Sequence, residues 1–270
     1  METGQPSKTA YSAARYRAAH QFLELGAIFK DPLAPRILGA TAEELQADAP
    51  RRAMRVFIAA RHRFAEDALA AAVERGVRTV VVLGAGLDTF AYRNPFEGVR
   101  VIEVDHPDTQ GWKRERLAAA GIEIPPTVSY AGVDFEKESL ADRLEPVGPA
   151  FFLWLGVVPY LTAEGFGETI RFVASGEGNE VVFDYAQSPE RMPAERRAAL
   201  EARAERVAKI GEPWLTYFEP DEIAATLTGL GFTEIEDLGP AGLAAHFFGR
   251  HDVPPDTPGG HVLRALRTGR

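Results

Sequence analysis

The sequence predicts an α/β protein built on a mostly parallel sheet, and three observations carry that expectation. Short apolar, β-branched runs alternate with helical periodicity from residue 77 onward, the pattern of strands covered on both faces. The first of those runs passes directly into Gly84-Ala85-Gly86, the strand–turn–helix entrance that open α/β sheets offer to nucleotide-like ligands. The second ends on Asp105, about 20 residues after the glycines, where such sheets place a carboxylate for ribose hydroxyls.

Taken in order, residues 11–29 read as a helix, with Tyr16, Ala19, Phe22 and Leu23 near a 3.6 spacing and Asp31-Pro32 as the break. Residues 53–74 form the next helix, with Phe57, Ala60, Phe64, Ala68 and Ala71 on one stripe and Gly76 as the stop. Strands follow at 77–83, 99–104, 127–133, 150–155 and 180–183, separated by helices at 109–120, 140–144 and 163–175. A long charged helix over 189–209 interrupts this rhythm. A helix at 221–230 then precedes segments 233–238 and 262–266, which can close the sheet. The expected organisation is a helical cap over residues 1–75, part of the same domain as an α/β core over 76–270, with 189–215 inserted as a lid.

The 270 residues, 46% hydrophobic and 26% charged, have the composition of a globular protein. The absence of cysteine excludes disulfides, thiolate catalysis and thiolate metal ligands. Without HExxH or comparable spacing no metal is expected, and without a Gly-x-Ser-x-Gly elbow no hydrolase. Residues 1–8 lack the apolar core of a signal peptide, and no run nears the roughly 20 apolar residues of a membrane span. A cytoplasmic protein with no membrane partner is therefore expected. The net charge of −9 argues against a nucleic-acid partner, which needs a cationic surface. Residues 1–63 nevertheless hold 10 Lys/Arg against 6 Asp/Glu. Arg51, Arg52, Arg55, Arg61 and Arg63 read either as a solvated helix face or as an anion-receiving cap.

The glycines and Asp105 together describe an adenosine cofactor, because an acceptor-only carboxylate suits a vicinal diol. Nicotinamide dinucleotides and S-adenosylmethionine share this arrangement. Two details favour the second. Thr89 stands where a dinucleotide fingerprint has its third glycine, and Asp88 puts an anion where a pyrophosphate would sit.

GAGLDTFAYR (84–93), EVDHPDTQGWK (103–113), VDF (133–135) and WLGVVPYLT (154–162), in that order, resemble the bacterial branch of the leucine carboxyl methyltransferase family. That branch includes O-methyltransferases of polyketide and other natural-product pathways. The resemblance runs over about residues 10–266. It implies a Rossmann-like class I methyltransferase sheet of seven strands, S-adenosylmethionine as cofactor and an oxygen acceptor. It also implies roles: Arg61 for the methionine carboxylate, and Gly84, Ala85, Gly86, Asp105 and His106 for the loop and ribose edge. Asp134 would lie near the adenine amino group, Phe135 against its ring, and Arg17 where a cation closes the site. Relatives carry glutamate, near the cofactor's ammonium, where this chain has Leu155; the carbonyls of Leu83 or Trp154 are the substitutes.

The expected activity is methyl-ester formation on a carboxylate of a small natural product or a peptide C-terminus. Methyl transfer from a sulfonium to a carboxylate needs alignment and water exclusion more than an acid or base. Arg17, Tyr160 and Trp154 are the candidates for positioning the acceptor. A hydroxyl O-methyltransferase would instead require a base, with His106 or His246 available. A nicotinamide dehydrogenase and a non-catalytic adenosine-binding module are the remaining alternatives.

Overall fold

The computed structural model describes residues 7–47, 51–144, 148–209 and 211–269; most of the polar segment read above for targeting, residues 1–6, lies outside them. The Ser7 hydroxyl accepts from the Ala10 amide and starts α1 (Lys8–Leu23). This helix stops six residues before the expected end. Leu25 and Gly26 take left-handed φ of 55° and 62°, and the amides of Glu24 and Gly26 both donate to the His20 carbonyl. Two short helices that periodicity missed follow, α2 (Ala34–Leu38) and α3 (Ala42–Ala47), before the long α4 (Arg52–Glu74).

Thr79–Leu83, buried throughout, is β1, and the one-turn α5 (Phe90–Arg93) follows it. Then come β2 (Arg100–Asp105), α6 (Pro107–Ala119) and β3 (Val128–Gly132). β1 pairs in parallel with β2, and β2 with β3. The first of two compact units comprises residues 1–134. Within it Ala14 and Ala18 of α1, Ile37 and Leu38 of α2, and Leu117 of α6 share one apolar cluster with Leu87, which follows the glycines.

The second unit, residues 135–270, holds β4 (Phe151–Trp154), α7 (Ala163–Ala174) and β5 (Glu180–Ala186). The helix expected at 140–144 is a single 3-10 turn, Leu140–Asp142. α8 (Ala194–Lys209) begins only after Met192 and Pro193, and its described side chains are mostly exposed. α9 (Pro220–Gly229), β6 (Glu234–Leu238), α10 (Pro240–Phe248) and β7 (Gly260–Leu266) complete the chain. β5 outruns its expected end at Phe183 because antiparallel pairing with β7 continues through Tyr185↔His261 and Ala186↔Gly260. β4 and β5 are parallel, and β6 and β7 antiparallel. The core here is aromatic: Trp154 lies flat on Phe166 with centroids 5.5 Å apart, and Phe183 and Phe218 pack against Phe166 at 6.0 and 4.7 Å. Such pairs add about 0.5–1.5 kcal/mol each beyond area burial. The seven strands, in the order β3-β2-β1 within the first unit and β4-β5-β7-β6 within the second, are those of a mostly parallel α/β sheet.

Candidate functional site

The loop leaving β1 needs its glycines. Gly84 and Gly86 adopt φ of 63° and 42°, a region L side chains rarely enter. A Cβ on Gly86 would also come within 2.9 Å of the Ala10 Cβ in α1. The sheet grips this loop from one side. The Ala85 amide donates to the Val104 carbonyl at 3.1 Å, and the Gly86 amide to Asp105 Oδ2 at 2.6 Å. His106 N donates to Asp105 Oδ1 at 2.7 Å. Each Asp105 oxygen thus carries one backbone donor and keeps acceptor capacity for a diol, so the residues fit an adenosine ribose. Burial pushes the Asp105 carboxyl above its ordinary range, against the lowering effect of the two amides.

Beneath the loop, Lys113 Nζ sits 2.7 Å from Glu103 Oε1 and 3.4 Å from the Ala85 carbonyl. Tyr92 donates to Glu103 at 2.8 Å and meets the Tyr130 hydroxyl at 2.9 Å. Burial raises the Glu103 carboxyl, and the Lys113 ammonium opposes that rise.

From the helical side a second buried network reaches the same loop. Arg17, 3% exposed, donates from Nε to Asp31 Oδ2 at 3.0 Å and from Nη2 to the Leu87 carbonyl at 2.6 Å. Asp31, fully buried, accepts from the Thr89 hydroxyl at 2.6 Å and from the amides of Leu33 and Ala34. Thr89 in turn accepts from Arg93 Nε at 3.0 Å, and Arg93 forms a two-pronged pair with Glu66. Threonine at position 89 therefore has a bonding role of its own. Asp88 Oδ1 caps the Phe90 amide at 2.7 Å, and Asp88 Oδ2 lies 3.3 Å from His62 Nε2. Burial works against the Asp88 charge, but His62, Arg17 and Arg93 outweigh it and hold the carboxyl well below its usual range.

The structure revises the expected cationic cap. Arg55 is two-pronged on Glu24 at 2.9 and 2.6 Å, and Arg63 pairs with Asp67, so neither is available as an anion receptor. Arg61 is buried on α4, 6% exposed. Arg17 was expected to position the acceptor; its guanidinium is instead engaged with Asp31 and Leu87. Asp134 ends the first unit and is half-buried. In the second unit Phe135, Leu155 and Tyr160 are half-buried, whereas Trp154 is fully buried in the aromatic core, which takes it away from shaping an acceptor pocket.

The histidines proposed as bases have other contacts in the structure. His106 Nδ1 caps the Asp108 amide at 3.2 Å, and His246 packs against Phe247 on α10. A third histidine, which sequence spacing did not single out, is hydrogen-bonded to a carboxylate that is itself bonded to a tyrosine. His261 Nδ1 is 2.9 Å from Asp237 Oδ1, while Asp237 Oδ2 accepts from the Tyr185 hydroxyl at 2.5 Å. The Tyr185 and His261 rings stack at 4.9 Å. All three sit where β5 and β6 end and β7 begins, the carboxyl edge at which α/β sheets bind ligands. Register across β5, β7 and β6 creates this trio, and only a sequence reading that fixed that register would have found it. Among the described residues no group of three or more His, Asp or Glu is arranged for a metal, and no helix is long and apolar enough to cross a membrane.

Residues 10–174 match the family model described as leucine carboxyl methyltransferase. A Bacillus subtilis protein, YktD, is 34% identical over 197 residues, 70% of this chain and 65% of its own length. A Mycobacterium sp. (strain JLS) protein is 30% identical over 225 residues, 80% of this chain and 70% of its own. A Parafrankia sp. protein is 37% identical over 153 residues, so that this chain spans about half of its length (49%). The names of all three place them among S-adenosyl-L-methionine-dependent methyltransferases. Among solved structures, a Thermobifida fusca protein described as a methyltransferase covers 99% of this chain and 97% of its own at 17% identity and TM-score 0.55. The magnesium protoporphyrin IX methyltransferase of Synechocystis, solved with S-adenosylhomocysteine bound, covers 95% and 99% at 12% identity and TM-score 0.51. These two likenesses speak to the fold.

Proposed function

We propose that this chain, which belongs to the leucine carboxyl methyltransferase family, transfers the methyl group of S-adenosylmethionine to a carboxylate oxygen of a small acceptor, giving a methyl ester. A natural-product acid of polyketide type or a peptide C-terminus would serve. The observation that carries the cofactor half is the glycine loop held against Asp105, whose two oxygens keep acceptor capacity facing out of the backbone bonds they receive. Bound S-adenosylmethionine supplies a methyl group on a sulfonium. In this reading Asp105 accepts from the ribose hydroxyls, and Gly84 and Gly86 let the ligand approach the backbone. Arg61 would hold the methionine carboxylate, and Asp134 and Phe135 the adenine. Leu155 brings no charge to the ammonium, which leaves backbone carbonyls as its acceptors.

A carboxylic acid is ionised at neutral pH, having an ordinary pKa near 4, so the acceptor needs no proton removal. Activity above about pH 6 should then stay nearly level, and labelled product should release volatile methanol in mild alkali.

One observation favours a second reading, a hydroxyl acceptor. With Nδ1–H donated to Asp237, His261 keeps Nε2 as a proton acceptor, the arrangement a phenol with pKa near 10 would require. In that case label stays fixed in alkali and His261→Gln abolishes turnover in a folded protein. Alkali-labile label together with an active His261→Gln supports the carboxylate.

A further inference from the structure

The glycine loop is held from two directions. Asp105 and Val104 bind it from the sheet, an arrangement expected of any such site. The second grip comes from outside the sheet: Arg17 on α1 bonds the carbonyl of Leu87, one residue past Gly86, at 2.6 Å. Asp31, in the turn between α1 and α2, receives Thr89 at 2.6 Å and Arg17 at 3.0 Å. Ala10, about two turns before Arg17, packs so closely on Gly86 that no side chain fits there. Leu87 itself is 1% exposed inside the apolar cluster of α1 and α2.

Burying a carboxylate and a guanidinium together is costly unless their geometry and remaining hydrogen bonds are satisfied. Here the two bond each other, and their further partners include two of the three residues that follow Gly86. Apolar packing alone would have closed α1 onto the unit at lower cost, whereas a charged hub fixes carbonyl and hydroxyl positions in the loop. Because a loop already in its bound shape loses less entropy on binding, this grip should appear as ligand affinity.

Resting on the cofactor reading above, we propose that Arg17 and Asp31 are positioning residues for the cofactor, holding Leu87 and Thr89 so that the glycine loop keeps its receptive shape. They act through the loop and touch no reacting atom. The N-terminal helix is thereby part of the cofactor site, and its integrity sets affinity at a distance from the ligand.

Thr89→Val tests this with little change of volume, and Thr89→Ser restores the hydroxyl. Calorimetry with S-adenosylhomocysteine on the full chain reads the affinity, below the temperature at which any variant begins to unfold. Thr89→Val should raise Kd roughly tenfold, the loss expected for one hydrogen bond to a charged acceptor, and Thr89→Ser should bring most of it back. In a cycle with Arg17→Lys, the joint rise should be smaller than the product of the two, since both act through Asp31. Arg116→Ala supplies the control for a merely structural effect, because Arg116 supports the same helical layer through the Ile37 and Leu38 carbonyls and does not reach the loop. It should lower the melting temperature and leave Kd within twofold. With turnover in hand, KM for S-adenosylmethionine should rise in Thr89→Val while kcat at saturating cofactor holds. A folded Thr89→Val with wild-type Kd overturns the proposal, as does a Kd that rises equally in Arg116→Ala. A wild-type chain that binds no S-adenosylhomocysteine overturns the cofactor reading itself, a separate outcome.

Discussion

Asp105 shows how one side chain joins fold to site. Its carboxylate closes the glycine loop by accepting from Gly86 and His106, and the same oxygens would meet the ribose. Asp105→Ala should therefore weaken S-adenosylhomocysteine binding by about 1–3 kcal/mol, with far-ultraviolet dichroism unchanged. Equal affinity in the mutant would make Asp105 a strand-end carboxylate and nothing more. Arg61 poses a sharper question, because burial alone would give it a role in stability. Arg61→Ala should weaken binding of S-adenosylmethionine but leave adenosine, which lacks the methionine carboxylate, bound as in wild type. Parallel loss of both ligands would assign Arg61 to the fold. Much of this level was legible in advance: Gly84, Gly86 and Asp105 announced themselves by residue type and spacing. Asp31 and Thr89 did not, since a lone Asp-Pro reads as a helix break and a threonine after a glycine loop reads as a substitution. Their bond spans 58 positions, and no local pattern encodes it.

Among the elements, strands were the easiest to read, because a buried run such as the four aliphatic residues Val80 to Leu83 of β1 has few other uses. Errors gathered where tertiary pairing overrides local pattern. β5 gained Asp184, Tyr185 and Ala186 from its antiparallel partner β7, and α10, for which the sequence reading had no element, starts at Pro240 just after Gly239. The end of α1 falls six residues before the expected one because the left-handed turn at Leu25 and Gly26 uses a leucine where a stop signal is normally glycine alone. The seating of α1 on the glycine loop is testable as an element-level contact. Gly86→Ala combines left-handed strain with a 2.9 Å collision with Ala10 and should cost about 1–3 kcal/mol of stability in urea unfolding. Ala10→Gly removes that collision, so the double mutant should lose less than the sum of the two single losses. Strict additivity would mean that α1 does not press on the loop.

The whole molecule carries a pH dependence whose sign follows from buried histidines and carboxylates. Burial lowers His20 and His62 below the ordinary 6.5, with Glu24 and Asp88 respectively opposing. A histidine neutral in the fold and protonated when unfolded stabilises above its unfolded pKa, and that stability is lost as pH falls below about 6.5. Burial raises the carboxyls of Glu66, Glu103 and Asp105, which gives the opposite slope above about pH 4.5. The histidine part is therefore read as a difference. Between about pH 7.5 and 5.5, wild type should lose more unfolding free energy than His62→Asn, and equal losses would place the His62 proton in both states alike. Above these details stands the claim that one glycine loop, gripped by Asp105 from the sheet and by Arg17 and Asp31 from the helices, receives S-adenosylmethionine. Calorimetry on the wild-type chain tests it most directly. One-to-one binding of S-adenosylmethionine or S-adenosylhomocysteine at micromolar Kd, about −8 kcal/mol, with no heat from NAD, is the expected result. Heat with NAD and none with either adenosyl ligand would contradict it.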